Sequence, residues 1–193
     1  LKNIMGLWLV QECRRQWAKE GEELDYGQLA EMAAKAKPFQ GVINFEQPEF
    51  MAIGDMPNKI NAYLTKTGQK AITDKGHTIR VVLEKLAARY AQVMGMLEGL
   101  SGKKIEVLHI VGGGTKNELL NQFTADATGK TVITGPVEAT VLGNVLMQAA
   151  TAGDIRDLWE GRKIIANSFE MKTYTPSSSK EWKAFVERYC TQK

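Results

Sequence analysis

The stretch Ile105-Glu-Val-Leu-His-Ile-Val-Gly-Gly-Gly-Thr-Lys-Asn-Glu-Leu-Leu120 carries an apolar run into three consecutive glycines and then into a helical pattern. The β-branched run from Ile105 to Val111 predicts a buried parallel strand. A helix is expected to open around Thr115 to Asn117. Gly112, Gly113 and Gly114 have no Cβ, so a ligand can lie on their backbone. The first helical turn adds unpaired N–H groups and a positive dipole end. One glycine suffices for a tight turn and three exceed that need, which makes the sugar and phosphate of a nucleotide the expected occupant. The competing reading is a strand-to-helix turn in which the glycines only satisfy geometry.

Two common phosphate motifs fail here. A P-loop needs Gly-Lys-Ser/Thr, but Gly102-Lys103 is followed by Lys104. Gly129-Lys130-Thr131 sits where a helix stops and a strand starts, the reverse of the P-loop order. A dinucleotide fingerprint needs a third glycine where Asn117 stands, and no acidic residue ends the following strand, Thr131 to Thr134.

Working outward, the pattern is mostly helical. Asn3 is expected to cap a helix reaching Lys19 that ends at Gly21, and Asp25 a second ending near Ala36. Val42 to Phe45 suggests a short strand, and Glu46 to Gly54 a loop. Asp55 is expected to cap a helix with Pro57 in its first turn. The longest helix runs from Asp74 to Leu100, with Ile79, Val82, Leu83, Leu86, Tyr90, Val93, Met94 and Leu97 on its apolar face. Arg80, Glu84, Lys85, Arg89 and Gln92 form the opposite face, expected to be solvated. After the glycines come a helix from Lys116 to Thr128, the strand Thr131 to Thr134, and a helix from Glu138 to Thr151. This order predicts an α/β fold with parallel strands, in which ligands bind beyond the strands' carboxyl ends. A short helix near Asp154 to Gly161 is expected to bury Trp159. Ser177-Ser178-Ser179 reads as a loop and cap. The final helix presents Trp182, Phe185, Val186 and Tyr189 as a docking stripe.

Composition excludes several classes. The chain has 193 residues, 44% hydrophobic and 24% charged, with a net charge of +3. So slight an excess of basic residues, spread without blocks, argues against a nucleic-acid partner, and no apolar run has membrane-spanning length. Cys13 in an apolar helical pattern, far from Cys190, favours a reduced, cytoplasmic protein. His77 and His109 lack neighbours at metal-ligand spacing, and no nucleophile has a base nearby, so neither a metal ligand nor a catalytic residue is assigned. The chain starts on Leu1 and reads as part of something longer.

Several long motifs carry a family resemblance. They are Leu1-Lys-Asn-Ile-Met-Gly-Leu-Trp-Leu-Val-Gln-Glu-Cys-Arg-Arg15, Gly54-Asp-Met-Pro57, the segment from Arg80 to Tyr90, that from His109 to Gly129, and Gly135-Pro-Val-Glu-Ala-Thr-Val-Leu-Gly143. Over Leu1 to Tyr174 the chain resembles the FGGY carbohydrate kinases, two-lobed proteins of actin-like, ribonuclease-H-type fold, and among them those acting on L-rhamnulose. The resemblance implies that residues 1–193 are most of the C-terminal nucleotide-binding lobe, with 176–193 less closely matched. It implies that Gly113 and Gly114, with Gly112 before them, lie against ATP or ADP, and that Asn117 is near the adenine. Gln122, Asp126, Glu138, Ala139, Thr140 and Gly143 match family positions too. Each of these has a plain structural alternative: helix contacts for Gln122 and Asp126, the helix dipole for Glu138, close packing for Gly143.

The family's catalytic aspartate and sugar-binding lobe match nothing here, so the expected activity, ATP- and Mg²⁺-dependent phosphorylation of L-rhamnulose, belongs to an intact protein. The chain alone is expected to be inactive. A branched side chain at Gly114 is expected to meet the nucleotide and to meet a backbone angle reserved for glycine. Two other classes stay open: a nonenzymatic nucleotide sensor of the same fold, and a dinucleotide-binding oxidoreductase module, which the missing third glycine disfavours.

Overall fold

A computed structural model describes residues 2–177 and 180–191. Ser178 and Ser179 of the expected cap therefore lie outside the described residues. Nine helices and three strands are described: α1 Trp8–Lys19, α2 Tyr26–Lys35, α3 Pro48–Met51, α4 Met56–Lys66, α5 Lys75–Ser101, β1 Val107–Ile110, α6 Glu118–Thr128, β2 Thr131–Thr134, α7 Ala139–Ala152, α8 Leu158–Ser168, β3 Thr173–Tyr174 and α9 Lys180–Thr191.

Local capping chemistry sets most helix starts. Asp25 accepts from the Gln28 backbone N–H while the Gln28 side chain accepts from the Asp25 N–H, a reciprocal pair that satisfies two orphan donors. Asp55 and Asp74 cap α4 and α5 through the N–H groups of Asn58 and His77. The expected cap at Asn3 is wrong. Residues 2–6 are irregular and α1 begins only at Trp8, whose indole N–H donates to Phe50 O at 3.1 Å.

The core is helical. Leu9, Cys13, Leu29, Ile43, Phe50, Ile60, Leu83 and Leu86 belong to one buried cluster that Trp182, Phe185 and Tyr189 of α9 close from outside, as the docking stripe predicts. α2 crosses α5 so closely that a Cβ on Gly76 would stand 2.6 Å from the Met32 carbonyl oxygen. Glycine is required there by approach.

That crossing also overturns the solvated face expected for α5. Glu84 and Lys85 are fully buried. Arg80 bonds Glu84 at 2.7 Å and donates to Ala33 O at 3.0 Å, and the Glu84 carboxylate accepts from Phe39 N–H at 3.0 Å. Burial pushes the Glu84 carboxyl up, against the pull of Arg80 and Phe39. The Lys85 ammonium stands over the ring of Tyr189, and burial pushes it down to about 7, with Arg89 adding to the shift. These charges face α2, the corner at Phe39 and α9 instead of water.

Three other expectations change. Val42 to Phe45 is not a strand: the side-chain amide of Gln69 accepts from Val42 N–H and donates to Val42 O, both at 2.8 Å, taking the place of a ladder partner. The stretch expected as loop holds the short helix α3. Trp159 is 69% exposed, and in α8 only Gly161 is buried.

The sheet has the order β1-β2-β3, with β1 parallel to β2 and β3 antiparallel to it. The expected parallel pair is present, but β1 is shorter than Ile105 to Val111 and stands at the sheet edge. Its residues alternate between exposed and half-buried, so it is not the buried strand the sequence suggests.

Candidate glycine-loop site

The parallel register pairs Ile110 with Thr134, so both chains leave the sheet together and their loops run side by side. Gly135 N–H donates to Ile110 O at 2.7 Å, and Gly112 N–H donates to Pro136 O at 3.1 Å. A Cβ on Gly135 would meet Val111 Cγ1 at 2.8 Å, so the second loop needs glycine in order to lie this close.

The three loop glycines have different reasons to be there. Gly112 has φ +82°, a conformation that L side chains avoid. Gly113 and Gly114 begin a 3₁₀ turn that runs to Lys116, and neither has a positive φ. Among the described residues a Cβ on Gly113 would meet nothing within 4 Å, and one on Gly114 only Ile110 Cγ2 at 3.9 Å. The angle expected to exclude a side chain at Gly114 is therefore not present. Gly112 satisfies geometry, whereas the bare backbone at Gly113 and Gly114 borders open space.

The turn is fixed from several sides. Thr115 donates to Gly112 O from both Oγ1, at 2.8 Å, and N–H, at 3.1 Å. Asn117 N–H donates to Gly114 O at 3.1 Å, and Asn117 Oδ1 accepts from Leu120 N–H at 3.0 Å, which makes it the cap of α6. Its amide nitrogen still carries donors for a base edge. The same cap stands where a dinucleotide fold would place its third glycine.

Residues assigned by the resemblance divide between loop and scaffold. Gly112, Gly113, Gly114 and Asn117 stand together at the strand end. Gln122 donates to Asp126 Oδ1 at 2.9 Å and to Thr175 O at 3.0 Å, and Asp126 Oδ1 also accepts from Ser177 N–H at 2.8 Å. Both thus tie α6 to the segment after β3. Glu138 is exposed at the start of α7 and makes no side-chain cap bond. Among the described residues nothing lies within 4 Å of a Cβ on Gly143, so close packing among them does not explain that glycine.

His109 is exposed and lines, with Gly114 and Asn121, a cavity of about 440 Å³ between β1 and the C-terminal half of α5. The sequence reading missed Asn121, a fully buried polar residue in the first turn of α6. A polar side chain one turn after a cap and flanked by Leu120 and Phe123 was the available signal. Among the described residues no group of three or more His, Cys, Asp or Glu could hold a metal ion, and no helix is long and apolar enough to cross a membrane.

The pattern of the FGGY family of carbohydrate kinases, C-terminal domain, matches residues 1–152. The chain belongs to that family. Its relatives include rhamnulokinase from Bacteroides thetaiotaomicron, 42% identical over 184 residues, which are 95% of this chain and 37% of that protein. Rhamnulokinase from Bacillus subtilis is 41% identical over 176 residues, 91% of this chain and 36% of its own length. The chain thus spans little more than a third of the curated relatives it matches. Two solved FGGY-kinase structures share the fold. Xylulose kinase from Rhodospirillum rubrum superposes with a TM-score of 0.68 at 16% identity, over 95% of this chain and 36% of that one. Glycerol kinase from Plasmodium falciparum, solved with ADP, has a TM-score of 0.61 at 18% identity, over 93% and 37%. The expected α/β lobe of an actin-like kinase fold therefore stands.

Proposed function

We propose that this FGGY chain is most of the nucleotide-binding lobe of a cytoplasmic, ATP-dependent sugar kinase that phosphorylates L-rhamnulose. The observation that carries the nucleotide role is the open backbone at Gly113 and Gly114, where neither torsion angle nor packing among the described residues calls for glycine. The sugar is proposed from the rhamnulokinase relatives alone.

On this reading the nucleotide lies along Gly112, Gly113 and Gly114, and the Asn117 amide donates to the base while its oxygen holds α6 in place. Phosphoryl transfer is mainly positioning and charge stabilisation, so a rigid turn at the end of a parallel strand is a useful contribution. Mg²⁺ would neutralise charge on the phosphates of the bound nucleotide.

Thermal melts with ATP and with NAD test the nucleotide role. ATP should raise the transition by mass action and NAD should not, whereas no shift with saturating ATP refutes it. ADP release from ATP, Mg²⁺ and L-rhamnulose should stay at background for the 193-residue chain alone. It should appear when the chain is joined to the remaining length found in its relatives.

A further inference from the structure

We infer that Asn121 is a positioning residue that sets the glycine turn for the nucleotide, an inference that rests on the nucleotide reading of that turn. Asn121 is fully buried on α6, and its amide nitrogen donates to Thr115 O at 2.9 Å. Thr115 in turn clamps Gly112 O through its hydroxyl and its N–H. The chain of contacts runs from the α6 interior through the 3₁₀ turn to the glycine whose φ is +82°.

The other half of the same amide carries the argument. Asn121 Oδ1 is buried and has no hydrogen-bond partner among the described residues, although Asn121 borders the apolar cavity beside Gly114. A buried acceptor without a partner is destabilising, and a leucine would suit the neighbouring Leu120 and Phe123 better for stability. What asparagine supplies, and leucine cannot, is the donor that fixes the Thr115 carbonyl. The turn is then held in one conformation before any ligand arrives, and ordering it costs no affinity on binding. Asn121 is too deeply buried to touch the nucleotide, so its effect passes through Thr115 and Gly112.

Asn121→Leu and Asn121→Ala test this in the 193-residue chain, with Gly114→Val as the control for the site itself. ATP affinity, measured by calorimetric titration with Mg²⁺, is compared with the melting temperature of each variant. Asn121→Leu should keep or raise the melting temperature and weaken ATP about tenfold, the scale of one lost hydrogen bond. Asn121→Ala, which removes the donor and adds neither bulk nor charge, should weaken ATP similarly and decides the matter if the leucine variant does not fold. A merely structural asparagine predicts the reverse: a lower melting temperature with unchanged affinity in the folded molecules, which overturns the inference. If Gly114→Val loses ATP while both Asn121 variants bind normally, the site stands and the role of Asn121 falls. If Gly114→Val binds as wild type does, the nucleotide reading itself fails and the inference with it.

Discussion

The helical body and the sheet end of this molecule use apolar residues in opposite ways. In the body, α1, α2, α4, α5, α6 and α9 share one buried cluster in which even Glu84 and Lys85 are enclosed. At the sheet end, α7 has no buried residue, and Val107, Val111, Val141, Val145, Met147 and Trp159 are exposed. Glu84 and Lys85 lie inside one half, and these six apolar residues lie outside the other. Polarity pattern alone therefore does not assign burial; what packs against a face decides it.

The largest test of that contrast is Arg80→Met. It leaves the Glu84 carboxylate buried without its guanidinium, which should cost about 3–5 kcal/mol in a denaturant melt. A loss under about 1 kcal/mol would mean that Glu84 is already relieved by other partners. Gly114→Val, at the open end, should behave inversely. Its melt should change little, since a side chain there meets open space, while ATP binding weakens by about 2–3 kcal/mol; Asn117→Ala should lose about 1–2 kcal/mol. Unchanged ATP titrations for both variants would remove the glycine loop from nucleotide binding.

Lys85→Met sharpens the comparison through pH. Burial holds the folded Lys85 near 7, below its unfolded value, so between the two the unfolded chain binds more protons and stability rises with pH. The penalty is full below pH 7 and fades toward pH 10. The variant should therefore be more stable than wild type by about 1–2 kcal/mol at pH 6 and nearly equal near pH 10. A pH-independent difference would show that Lys85 titrates alike in the folded and the unfolded chain, so that burial does not shift it. Smallest of all, Val145→Ser should shift the melt by less than about 0.5 kcal/mol, because Val145 is mostly exposed. A larger loss would show that α7 is covered in solution.

The features legible in the sequence are those whose partners lie close along the chain. The caps at Asp25, Asp55 and Asp74 each close on a residue three positions later, and the end of α6 at Gly129 is a single positive φ. The parallel pair and the grouping of Gly112, Gly113, Gly114 and Asn117 follow from the same local order. What was not legible depends on distant residues. Nothing near Arg80 announces that Ala33 O and Ala34 O will accept hydrogen bonds from its guanidinium, or that Phe39 will approach Glu84. Val42 and Ile43 have a strand's apolarity, but the partner that replaces the strand is one glutamine side chain 27 positions on. The Asn3 cap failed differently: its residue type was right, yet Trp8 reaching Phe50 sets where regular helix begins.

Phe39, a non-glycine residue with φ +57°, packs its ring on Trp182 and Phe185 at centroid distances of 5.1 and 5.0 Å. An uncommon backbone conformation near the front of the chain is thus braced by aromatic rings made much later. On a ribosome adding about 5–20 residues per second, that corner waits on the order of ten seconds for its cover. Until α9 is made, Phe39 lacks the two rings that pack on it, so the last helix is the segment that completes this corner.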